Sequence, residues 1–192
     1  MTEKQIPIFP LHSVLLPGGV LPLRIFEPRY LDMVSNCMKE GSSFGICLIK
    51  DGAETGKPAT TYQSGTVATI DYWHMRADGI LGITAHGTER FTIISQDTQA
   101  DNLTIAQVEL IPNDASVALP AEYSKLAGML KHIISQLGYP FMRLKQDYDD
   151  ATWVSARLTE LLPIKLEQKQ FCLELNDTTN NVAPISRHQT IV

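Results

Sequence analysis

The sequence predicts an α+β fold: a strand-rich first part that closes as a barrel, then a helical second part. Seven short β-branched runs lie before residue 112, separated by Gly, Asp or Asn turn signals. So many strands at that spacing favour a closed or nearly closed barrel, because closure removes exposed sheet edges. After Asn113-Asp114-Ala115-Ser116 the apolar spacing turns helical.

The elements follow in order. Ile6–Leu11 and Val20–Phe26 are strands flanking a turn at Pro17-Gly18-Gly19. A helix then begins at Pro28, whose fixed φ suits a first helical position; Tyr30, Leu31, Val34, Cys37 and Met38 form its apolar face, and Gly41 ends it. Phe44–Lys50, Gly65–Trp73, Ile80–Ala85, Arg90–Ser95 and Leu103–Ile111 complete the strands, with Asp78-Gly79 as a hairpin turn between two of them. Pro120–Leu137 sets Leu126, Met129, Leu130, Ile133, Ile134 and Leu137 on one helical face before Gly138. Two further helices are expected from Asp149–Asp150 to Pro163 and from Ile164 to Leu175, the latter burying Leu166, Phe171 and Leu175. The expected divisions are 1–116, 117–175 and a polar tail at 176–192.

Composition narrows the function. Of 192 residues, 44% are apolar and 19% charged, which is ordinary for a folded domain. Pro7, Pro10, Pro17, Gly18 and Gly19 interrupt the apolar character of the opening, and no stretch reaches the ~18 apolar residues of a membrane span, so a cytoplasmic location without a membrane partner is expected. Cys37, Cys47 and Cys172 are odd in number and each lies in an apolar context, so they read as buried thiols. Residues 1–119 hold eight Lys/Arg against thirteen Asp/Glu, and residues 120–174 hold seven of each. Neither part offers the basic stripe a phosphate backbone needs, so no nucleic acid is expected.

Catalytic patterns are missing. His12, His74, His86, His132 and His188 have no partner at zinc-site spacing and there is no C-x-x-C, so neither a metal nor a cofactor is expected. Gly52-Ala53-Glu54-Thr55-Gly56-Lys57-Pro58 imitates a phosphate loop but spaces its glycines wrongly and puts Pro58 where magnesium needs a hydroxyl. Cys37 and Cys47 sit where burial dulls a thiol, and Ser155 has no base near it in sequence. The chain reads as a non-enzyme.

Phe9-Pro10-Leu11, Pro17-Gly18, Leu21-Pro22-Leu23-Arg24-Ile25-Phe26-Glu27, Arg29-Tyr30 and Met33 resemble the signature of the Lon protease N-terminal (substrate-binding) domain family. Phe44-Gly45-Ile46, Gly65-Thr66-Val67-Ala68, Gly87-x-x-Arg90-Phe91 and Trp153-Val154-x-x-Arg157-Leu158-x-Glu160-Leu161-Leu162-Pro163 follow in the family's order, so the match covers Ile6–Leu175. The resemblance implies a PUA-like β-barrel followed by a C-terminal helical bundle. It also implies a stand-alone form without ATPase or peptidase units, and a non-catalytic role in capturing unfolded or partly folded protein segments. Full-length Lon is a further candidate partner. The chain departs from the family at Asp177-Thr178-Thr179-Asn180-Asn181-Val182, where an acidic turn and an Arg-Leu pair are usual.

Candidate binding residues follow. Trp73 and Met75, beside the Asp78-Gly79 turn, suit promiscuous apolar contact, or else Trp73 closes the barrel end. Arg24, Glu27, Arg29 and Tyr30 either offer Arg29 to a substrate or pair internally to fix the helix on the barrel; Arg90 carries the same two readings. Tyr139, Phe141 and Met142 are expected to line a groove between barrel and bundle. The alternatives by fold are an RNA-binding PUA-like module and a small-ligand-binding protein or enzyme using that groove.

Overall fold

The computed structural model describes residues 2–175. The expected tail at 176–192, with His188 and the departure at 177–182, lies outside the described residues. The chain forms two compact units, one ending at Pro112 and the other beginning at Asn113. The fold is mixed α+β and sheet-dominated.

The first unit contains β1 (Thr2–Leu11), β2 (Val20–Ile25), α1 (Pro28–Glu40), β3 (Phe44–Asp51), β4 (Thr60–Met75), β5 (Leu81–Thr98) and β6 (Thr104–Ile111). The strand order is β2-β5-β4-β3-β1-β6, and β6 also pairs with β5, so the pairings from β5 through β4, β3, β1 and β6 return to β5. The two halves of β5 have different neighbours: Leu81–His86 pairs with β2, whereas Arg90–Thr98 pairs with β6. Likewise β1 meets β6 along Thr2–Ile8, while Phe9–Leu11 keeps, among the described residues, only the parallel pairing to β3. At the end of the unit where β2 replaces β6, a seam therefore separates β2 from Phe9–Leu11.

Two sequence expectations for this unit change. Ile80–Ala85 and Arg90–Ser95 are one continuous strand, because Gly87 is not a turn residue. It sits at a register shift where an added Cβ would lie 2.6 Å from the Leu16 carbonyl oxygen, so its smallness serves close approach of two backbones. On α1, Met33 is buried where Met38 was expected, and Met38 is exposed. Pro28 does open the helix, and Gly41 closes it in the left-handed conformation at φ 63°.

Packing explains the small residues of β3 and β4. Phe91 is fully buried, and its ring fills the space that Gly45 and Gly65 leave vacant. A Cβ on Gly65 would lie 2.7 Å from that ring and 2.5 Å from the Ile46 carbonyl oxygen. Above this cluster, Phe9, Ile25, Tyr30, Met33, Val34 and Phe44 form a larger core that α1 roofs.

The second unit holds α2 (Ser124–Leu137), α3 (Ala151–Leu161) and α4 (Leu166–Glu174), with a 3-10 turn before α2 and another after it. Leu126, Leu130, Ile134, Val154 and Leu158 make its core. The expected α2 face is narrower than read, since Leu137 is exposed. On α4 the buried residues are Gln170, Cys172 and Leu173, and Phe171 is exposed, so the face read from apolar spacing alone is rotated. Asp150 caps α3 by accepting from the Thr152 amide at 2.9 Å. Arg157 is buried and pairs with Glu160 at 2.7 Å.

A candidate protein-binding face

The β4–β5 hairpin carries the most exposed apolar side chains of the first unit. Every residue from Asp71 to Gly79 is exposed, on both faces of β4, so the hairpin tip stands clear of the core. Trp73 is 53% exposed and Met75 64%, which sets aside the reading of Trp73 as a barrel plug. The tip is nonetheless well ordered by short-range chemistry. Gly79 takes φ 76° and donates to the Arg76 carbonyl at 3.0 Å, and Asp78 accepts from the Ile80 amide at 3.1 Å. That amide first, then the Arg76 guanidinium, holds the Asp78 carboxyl below its ordinary pKa. Arg24 reaches Asp78 at 3.3 Å and ties the tip to β2.

Register joins the tip to the neighbouring strands. Trp73 pairs with Ile83, which pairs with Leu23; Met75 pairs with Leu81, which pairs with Ile25. Residues in one row share a face of the sheet, so Trp73 and Met75 continue the face formed by Leu23 and Leu81, about 10 Å across two strand spacings. Ile83, between Trp73 and Leu23, is buried, while Leu23 and Ile25 at the β2 end of these rows line a groove of about 580 Å³ at the β1–β2 seam, together with Phe9, Leu11, Tyr30 and Phe26 and the carboxylates Glu27 and Glu54. This volume lies within the roughly 300–1,000 Å³ of ligand clefts. Tyr30 is buried, no hydrogen bond reaches its hydroxyl among the described residues, and burial pushes that hydroxyl up to about 12.

Arg29 lies inside. It is 5% exposed, pairs with Glu27 at 3.0 Å, donates to the Asn102 carbonyl at 2.9 Å and stacks its guanidinium 4.7 Å from the Tyr30 ring. Glu27 also accepts from the Gly56 amide at 3.3 Å. These contacts fix the start of α1 against two loops, so the geometry favours the internal-pairing reading over a surface contact. Arg90 is also buried. In the second unit Tyr139 and Met142 are exposed, while Phe141 packs partly buried against the α2–α3 core.

Among the described residues, no group of three or more His, Cys, Asp or Glu is placed to hold a metal, and no helix is long and apolar enough to cross a membrane. Cys37, Cys47 and Cys172 are all buried free thiols. Burial pushes each thiol up, Cys47 to about 12. The sequence reading missed the groove floor and Glu54. Pro22, a proline inside a strand, was the signal that β2 has an open edge.

The chain belongs to the ATP-dependent protease La (LON) substrate-binding domain family, whose pattern matches residues 5–188. The Lon N-terminal substrate-binding domain is a non-catalytic domain. A Lon N-terminal domain protein from Xanthomonas campestris is 34% identical in its crystal structure, with a TM-score of 0.78 over 96% of this chain and 98% of that one. Lon protease 1 of Hydrogenovibrio crunogenus is 26% identical over 84% of this chain and 20% of its own length. Cereblon of Xenopus tropicalis is 27% identical over 71% of this chain and 30% of its own length. The chain thus spans less than a third of either of these two relatives.

Proposed function

We propose that this chain is a non-catalytic module that binds unfolded or partly folded segments of other proteins, in the cytoplasm. The observation that carries this reading is the exposed apolar pair Trp73 and Met75 at the hairpin tip, in the same sheet rows as Leu23 and Ile25, which line the seam groove. A flexible thioether and an exposed indole adapt to varied apolar partners. Family membership supports it, since the family is described as substrate-binding. On this reading the circuit of β5, β4, β3, β1 and β6 is a PUA-like barrel, α2–α4 is a helical bundle, and the division falls as 1–116 and 117–175. Full-length Lon is a second partner to test. RNA is disfavoured, because residues 1–119 carry a net charge of −5.

The test is fluorescence anisotropy with a labelled, reduced and alkylated protein that cannot refold. Wild type binds it, and the double variant Trp73→Ala, Met75→Ala binds about tenfold more weakly. Equal affinity would remove this face from the account.

A further inference from the structure

We infer that the open edge of β2 receives an extended segment of a partner protein as an added strand, apolar at alternate positions and carrying a Lys or Arg that meets Glu54. The inference rests on the protein-binding reading above and specifies how that face is used.

The edge comes from the topology. Among the described residues, β2 is the terminal strand of the sheet and pairs only with β5. Gly87 donates to the Gly19 carbonyl at 2.9 Å, which sets the phase of the ladder. In an antiparallel pair the bonded residues alternate, so Leu21, Leu23 and Ile25 turn their backbone groups to β5, and Pro22 and Arg24 turn theirs outward. Pro22 has no N–H to contribute to β5, which agrees with this phase. Pro22 and Arg24 are exposed, whereas Leu21 and Leu23 lie half-buried on the core.

Across the seam, Phe9–Leu11 is unpaired by β6. A strand laid along β2 would therefore place every second side chain in the groove above Phe9, Leu11 and Tyr30, and the others toward solvent. The six residues of β2 set the length of the added segment.

Charge selects the occupant. Arg24 is held by Asp78, and Glu27 by Arg29. Glu54 is exposed, and its carboxylate is fixed at the groove by the His12 amide at 2.7 Å. It favours a cation on the incoming segment. A second copy of this chain would bring the same carboxylate and another net −5 of its first 119 residues to the seam, so a partner segment fits better than self-pairing.

The probe is a labelled peptide, Thr-Leu-Thr-Leu-Thr-Lys, whose lysine shares the face of its leucines, read by anisotropy on the full chain. Two backbone N-methylated versions are compared, one methylated at the leucines and one at the threonines. Strand addition predicts that one version loses at least about tenfold in affinity and the other binds as the parent does. Arg24→Pro, which deletes an outward N–H, should bind about fivefold more weakly than Arg24→Ala, with both variants checked for native circular dichroism. Glu54→Gln should weaken the parent peptide about threefold and leave a version ending in norleucine unchanged. Equal binding of both methylated peptides, with the unfolded protein still captured through Trp73 and Met75, overturns strand addition while the protein-binding reading stands. Failure to bind either probe overturns both. A sedimenting dimer that Arg24→Pro dissociates assigns the edge to a second copy and overturns the partner.

Discussion

Replacing Glu27 should cost more stability than removing the arginine it serves. Arg29 is 5% exposed and Glu27 18% exposed at the side chain, with 3.0 Å between the charged atoms. At an effective dielectric constant near 20, two charges this close attract by about 5 kcal/mol, most of which offsets their desolvation. Glu27→Ala leaves a buried guanidinium whose remaining polar contacts are the Asn102 carbonyl at 2.9 Å and the Tyr30 ring. The penalty for stranding such a charge is about 3 kcal/mol. Arg29→Met removes the charge and keeps the apolar stem; it leaves an unsatisfied Asn102 carbonyl, about 1 kcal/mol, and an unpaired Glu27 carboxylate. At 18% exposure water can reach that carboxylate and the Gly56 amide still meets it, so its stranding costs less than that of the 5% exposed guanidinium. Capping does not confound the comparison, because the Glu27 side chain makes no capping hydrogen bond. Urea unfolding followed by tryptophan fluorescence measures both variants. Glu27→Ala within 1 kcal/mol of wild type, or Arg29→Met the more damaging of the two, would refute the argument that this cluster is a structural clamp.

Two further outcomes test the packing. Gly65→Ala should destabilise the first unit by at least about 2 kcal/mol, because a Cβ there meets the Ile46 backbone oxygen at 2.5 Å and that atom has no free room; a neutral melt would contradict the packing. Stability should also fall with alkalinity. Burial raises Cys47 from 9.0 to about 12 and Tyr30 from 10.0 to about 12, so the folded chain keeps protons that the unfolded chain releases. The contribution is whole below pH 9 and is lost as pH rises toward 12, at about 1.4 kcal/mol per pH unit for each group inside its window. Tyr30→Phe should flatten the slope above pH 10, and a profile flat in wild type from pH 8 to 10.5 would contradict this.

Local signals were legible where a single residue decides the backbone. Pro28 starts α1, Gly41 and Gly138 end helices, and Asp78-Gly79 makes the hairpin, each through its own φ or side chain. Gly87 misled because a glycine needed for close approach looks the same in sequence as one needed for a turn. The α4 face misled because Gln170 is buried and Phe171 exposed, a choice made by packing and not by spacing. At the site, Trp73 and Met75 were visible as apolar residues beside a turn. The groove was not, because it exists only where Phe9–Leu11 and β2 are left without β6 between them, which is a property of pairing.

The central claim is that client segments lie on the face joining the hairpin tip to the seam. Its most direct test is site-specific photocrosslinking, with benzophenone-alanine in place of Trp73, of Phe26 at the groove, or of Thr98 at the opposite end of β5. Crosslinks to the labelled unfolded protein are expected from positions 73 and 26, and none above background from 98. Equal yields from all three, or crosslinks confined to position 98, would contradict it.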